Sequence, residues 1–131
     1  MGGSPIGGHF MKILAKALIL LVALEHFGFL VLEMFLWDKP IGIETFHNTA
    51  EAARSSMVLA GNQGLYNGFL AAGLVWSLWQ GRRDTKMFFL GCIIVAGVYG
   101  AATAMASILW VQAAPALIAL LATLVSERAD A

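Results

Sequence analysis

Charge is what this chain has least of. Of its 131 residues only 12% are charged while 60% are hydrophobic, so water is not the solvent this composition is suited to. Eight basic and eight acidic residues cancel, which removes the field that would gather nucleic acid or an acidic partner. A single cysteine, Cys92, excludes an intrachain disulfide and a cysteine-rich zinc site, and its apolar setting suits a small buried hydrophobe. Phosphate-cradling loops, paired metal boxes, cofactor fingerprints and a nucleophile motif are also missing, so no cofactor is expected.

Long apolar runs are present instead. Residues 1–10, with two Gly-Gly pairs ahead of Met11 and Lys12, read as an expression-tag remnant, and residues 11–131 as a single membrane domain. Crossing a hydrocarbon core of about 30 Å takes roughly 20 apolar residues. Four stretches meet that length, at about 13–36, 57–79, 87–106 and 108–125, which predicts an all-α, four-transmembrane-helix bundle. The last two are divided by length alone, since Ala104 to Ser107 carries no glycine or proline. One long connection, 38–56, joins the first pair.

Lysine and arginine set the orientation. With the amino terminus inside, Lys12, Lys16, Arg82, Arg83, Lys86 and Arg128 are cytoplasmic and only Lys39 and Arg54 lie outside. Both termini are therefore expected in the cytoplasm of a bacterium, with the chain in its inner membrane. Trp37 and Trp110 then fall at the outer interface, Trp76 and Trp79 at the inner one. Gly61, Gly64 and Gly68 on the second span, and Gly97, Gly100, Ala101 and Ala104 on the third, are small-residue faces for close packing within the chain or in a homodimer.

Ionisable groups inside a span are costly, which makes each a functional candidate. The first span carries Glu25, His26 and Glu33. At about 100° per residue, His26 and Glu33 differ by only about 20°, and Glu25 stands about 100° from His26. These three are the acid/base or proton-carrying candidates. Ligand-binding candidates are Asn62, Gln63, Tyr66 and Asn67 on the second span, Tyr99 and Thr103 on the third, Gln112 on the fourth, and Trp37. Pro115 would free the carbonyl of Val111.

On a common depth scale of about 1.5 Å per residue, Glu25, His26 and Asn67 fall near the midplane, and Glu33, Gln63, Thr103 and Gln112 roughly 7 to 12 Å outward. The inner halves are aliphatic and aromatic. This predicts a polar cavity that opens outward and is closed below by apolar packing. In the long loop, Glu44, His47 and Glu51 would align as metal ligands on a continuous helix, although an interfacial amphipathic helix accounts for the same pattern, so no metal is expected.

The segment Glu33 to Trp37, the block Asn-Gln-Gly-Leu-Tyr-Asn-Gly at Asn62 to Gly68, the run Ala96 to Ala101 and the stretch Gln112 to Ala116 together resemble a family of small bacterial membrane proteins, domain of unknown function 1304. The resemblance covers Met11 to about Val125. It implies four membrane helices and supplies no reaction, ligand or catalytic residue. Three functions compete. The first is binding or transport of a small molecule or lipid, proton-coupled through Glu33 and Glu25. In size and in its first-helix carboxylate the chain resembles the small multidrug exporters, whose signature it lacks. The second is an intramembrane enzyme using Glu33 and His26 on a lipid or isoprenoid-like substrate. The third is a scaffold docking through its glycine faces.

Overall fold

The structure, a computed structural model, describes residues 5–128, and no strand occurs among the described residues. Five α-helices follow in order: α1 (Pro5–Phe35), α2 (Pro40–Thr45), α3 (Ala50–Gln80), α4 (Arg83–Thr103) and α5 (Ala114–Arg128), the last entered through a π-helical turn at Leu109–Ala113. Residues 5–10 are helical and continuous with the rest of α1. At 1.5 Å per residue the 31 residues of α1 reach about 46 Å, longer than a bilayer's hydrocarbon core.

Among the described residues three segments are long and apolar enough to cross a membrane: Ile6–Phe35, Arg83–Thr103 and Leu109–Ser126. The expected second span lies inside α3, which is as long as α1. There the polar residues Asn62, Gln63 and Asn67, with several glycines, dilute the apolar run below what composition alone assigns to lipid.

Each helix boundary has a local cause. Gly81, at φ 68°, takes the left-handed conformation that ends α3, and its N–H bonds back to the Ser77 carbonyl at 3.0 Å. Thr49 caps α3 at the other end, its Oγ1 accepting from the Ala52 N–H at 3.1 Å. Between α4 and the π turn the chain reverses at Ala104 to Ser107. Pro115 has no N–H to give, and the helix widens just before it: the Ala114 N–H reaches five residues back to the Leu109 carbonyl.

The chain divides into two compact units. One comprises the residues up to Ala23 and from Gly73 onward, the other Leu24–Ala72. The first has an aliphatic core in which Ile19, Val22, Leu74, Leu90 and Ile93 are almost wholly buried. Within it Gly73 leaves room for the ring of Phe89, and Gly97 lies against the backbone of Ala113. In the second unit the buried positions are small or polar: His26, Ala53, Ala60, Asn67 and Ala71. Both units also bury polar side chains, His26 and Asn67 in the second and Ser77, Lys86, Thr123 and Ser126 in the first.

The long connection in that second unit is ordered by its own contacts. Gly42 is buried, and a side chain there would run into the Leu36 carbonyl and sit 2.9 Å from the Trp37 oxygen. Trp37 stacks on Phe46 with ring centroids 4.7 Å apart and donates Nε1–H to Ser56 Oγ at 3.0 Å. Trp37→Phe keeps the stack and removes only that donor. It should cost about 1 kcal/mol in the thermal unfolding of the purified protein. A loss no larger than that of an exposed control such as Trp79→Phe would show that the latch contributes nothing.

Candidate functional site

The site is set by how closely α3 approaches α1 within the second unit. Ala53, Ala60, Gly64, Asn67, Gly68 and Ala71 are the buried positions of α3 there, and they recur at the three-, four- and seven-residue spacings of one helix face. A Cβ on Gly64 would stand 2.8 Å from Met34 Cγ, 2.9 Å from Glu33 Cβ and 3.2 Å from the Leu30 carbonyl oxygen. At Gly68 a Cβ would overlap the end of Leu30. The two glycines are thus spent on contact inside the chain, while Gly61 has nothing within 4 Å of where its Cβ would lie.

Between those glycines, Asn67 donates Nδ2–H to Glu33 Oε2 at 2.7 Å. That length is in the range of charge-assisted hydrogen bonds. Asn67 is only 4% exposed, so its amide is committed to this contact rather than to solvent. The amide also has an acceptor oxygen. Asn67 can therefore serve an ionised Glu33 through its NH₂ and a protonated one through its oxygen after the amide turns over.

One helical turn and more toward the amino terminus, His26 is completely buried and meets Phe29 edge-on, with centroids 5.3 Å apart. Glu25 Oε1 lies 4.0 Å from His26 Nδ1, too far for a hydrogen bond. The same Oε1 is shielded from solvent and accepts no hydrogen bond. A shielded acceptor left unsatisfied is costly, and a modest rotation of Glu25 toward the imidazole would relieve it.

The other expected site residues are elsewhere. Asn62, Gln63 and Tyr66 are exposed, with Tyr66 at 60%, turned onto Phe69 at a centroid distance of 6.0 Å. Tyr99 is 70% exposed and Thr103 is exposed, its hydroxyl donating to the Tyr99 carbonyl at 2.8 Å. Gln112 is half-buried in the π turn, and Trp37 belongs to the loop latch. Asn62 and Tyr66 stand about 160° to 200° around α3 from Gly64, on its opposite face. The helical alignment of Glu44, His47 and Glu51 does not form. α2 ends at Thr45, and His47, at φ 53°, sits in the left-handed region between the helices. Among the described residues no three His, Cys, Asp or Glu side chains are grouped to hold a metal ion.

Ser56, in the second turn of α3, is the partner of Trp37 that sequence reasoning missed, because a lone hydroxyl carries no periodicity that would place it against a residue of another element.

Helices long and apolar enough to cross a membrane are the build of a helical membrane protein. Residues 20–124 match the family described as protein of unknown function (DUF1304), and the chain belongs to that family. It is 32% identical over 117 residues to the uncharacterized protein YpaA of Lactococcus lactis subsp. lactis (strain IL1403), a match covering 86% of this chain and 98% of that one. No solved structure matches the chain.

Proposed function

We propose that this is a four-span protein of the bacterial cytoplasmic membrane, both ends cytoplasmic, that binds or transports a small molecule in exchange for a proton carried by Glu33. The observation that supports it is the Glu33–Asn67 contact at 2.7 Å, a carboxyl held by an amide able to serve both of its protonation states. α3 supplies the fourth crossing. Its polar positions are a reason to place it in a protein interior rather than evidence against the membrane, since Asn67 is satisfied by Glu33.

The charge around the site narrows the ligand. Glu25 and Glu33 supply acceptors and negative charge, and His26 is the only basic side chain on α1 between Leu24 and Phe35. An organic cation suits that environment better than an anionic headgroup, because it replaces the proton on Glu33 charge for charge. Glu25 and His26 would pass the proton along the same helix.

The test is loss of protons from the lumen of proteoliposomes carrying a trapped pH dye, with external guanidinium or tetramethylammonium as the probe. The parent protein should couple one of these cations to proton movement. Glu33→Gln should reduce that flux about tenfold or more, the loss that goes with removing a charge-assisted contact of about 1.5–3 kcal/mol. Equal responses from the parent, Glu33→Gln and His26→Ala would sink this reading and leave a scaffold.

A further inference from the structure

Within the second unit α3 turns a second face away from α1, along which Ser55, Leu59, Asn62, Tyr66 and Phe69 are all exposed. Gly64 and Gly68 are spent on the contact with α1, so this is the side of the helix left for a neighbour. Its polar groups are not all satisfied. The Ser55 hydroxyl donates to the Ala52 carbonyl at 3.0 Å, but neither the Asn62 amide nor the Tyr66 hydroxyl makes a hydrogen bond among the described residues.

Depth makes those groups costly, and depth here rests on the reading of α3 as the fourth crossing, with residues 57–79 in the core. At about 1.5 Å per residue, Asn62 is then about 9 Å from the middle of the span and Tyr66 about 3 Å, inside a hydrocarbon layer of about 15 Å on each side. An amide at that depth has no water to bond, and leaving it against lipid tails is strongly unfavourable. A partner that supplies both a donor and an acceptor removes the cost.

Charge and symmetry select the partner. From Ser55 to Gln80 α3 holds no charged residue, so nothing on this face calls for a partner of opposite sign or repels an identical one. Asn62 is donor and acceptor at once, and so is the Tyr66 hydroxyl, which makes each complementary to its own copy. Copies inserted with one orientation are related by an axis along the membrane normal, so two α3 helices meet in parallel and each residue faces its counterpart at the same depth. A polar residue in such a seam also fixes the register. We propose that this chain forms a two-fold homodimer through α3, in which the Asn62 amides of the two copies bond each other and Leu59, Tyr66 and Phe69 pack around them.

The test is oxidative crosslinking in membranes, with Cys92→Ala removing the native thiol. Leu59→Cys and Phe69→Cys should each give a disulfide-linked species of twice the 14.0 kDa chain mass, whereas Val95→Cys, exposed on α4, should not. Energy transfer between labelled copies, followed on dilution into lipid, measures the strength of the pair. Asn62→Leu should raise the dissociation constant about tenfold, for the two hydrogen bonds of a symmetric amide pair, and Tyr66→Phe about threefold. A membrane-impermeant maleimide tests the crossing separately: Arg54→Cys should react from outside intact cells and Arg82→Cys only after they are opened. Reaction of both from one side removes the crossing, and the proposal with it. If α3 crosses, the proposal alone is overturned by the absence of a linked dimer, by Val95→Cys linking as readily as Leu59→Cys, by linkage to a different protein, or by a dissociation constant that Asn62→Leu leaves unchanged.

Discussion

Gly97→Leu should cost about 3 kcal/mol or more, enough to remove most folded protein from a detergent extract. A Cβ at this position would lie 2.8 Å from the Ala113 nitrogen, 2.8 Å from its Cβ and 3.0 Å from its Cα. A flexible side chain could move aside from such a contact, but a helix backbone cannot without shifting the whole element. Ala113 begins the stripe Ala113, Ala116, Ala119 and Ala122, all buried, so a shift there is passed along α5. The control is Gly91→Ala on the same helix. Nothing lies within 4 Å of the Cβ it would add, and an alanine in a helix interior is favoured over glycine by up to about 1 kcal/mol. The two variants should therefore move the unfolding midpoint in opposite directions. Equal midpoints would mean that α4 and α5 do not meet at Gly97.

The glycines also show which parts of the fold and the site were legible beforehand. Small residues at Gly64, Gly68 and Gly97 read directly as close-approach positions, because the absence of a side chain has one physical consequence wherever helices pack. The carboxylates and imidazole of α1 were legible for a similar reason, since an ionisable group in an apolar run is costly wherever the run is buried. Rotation was not legible from polarity. A helical wheel gives angles between residues but not the direction in which the wheel points, so Asn62, Gln63 and Tyr66 seemed as inward as Asn67. The glycine face would have settled it: Asn67 is about 60° from Gly64, whereas Tyr66 and Asn62 are on the far side. On α4 the same logic applies, with Lys86, Leu90, Ile93 and Gly97 buried and Tyr99 about 160° away from Gly97.

Asn67→Leu should destabilise the chain by about 1–3 kcal/mol, and adding Glu33→Leu to it should restore most of the loss. In membranes an interhelical hydrogen bond contributes only about 0.6 kcal/mol net. Removing Asn67 alone does more than delete that bond, because the Glu33 carboxyl then keeps its desolvation without its 2.7 Å donor. Removing both polar groups deletes the bond and the desolvation together, and leucine at each position is at home in an apolar setting. The cycle should thus show strong coupling, with the double variant more stable than Asn67→Leu. Glu33→Gln is the informative third arm, since a glutamine oxygen still accepts from Asn67 Nδ2 but carries no exchangeable acidic proton. It should unfold near the parent midpoint while losing proton-coupled flux, which separates what Glu33 does for the fold from what it does for transport. If the losses for Asn67→Leu and Glu33→Leu simply add, the two side chains are not partners, and the proton would have to be carried by Glu25 and His26 alone.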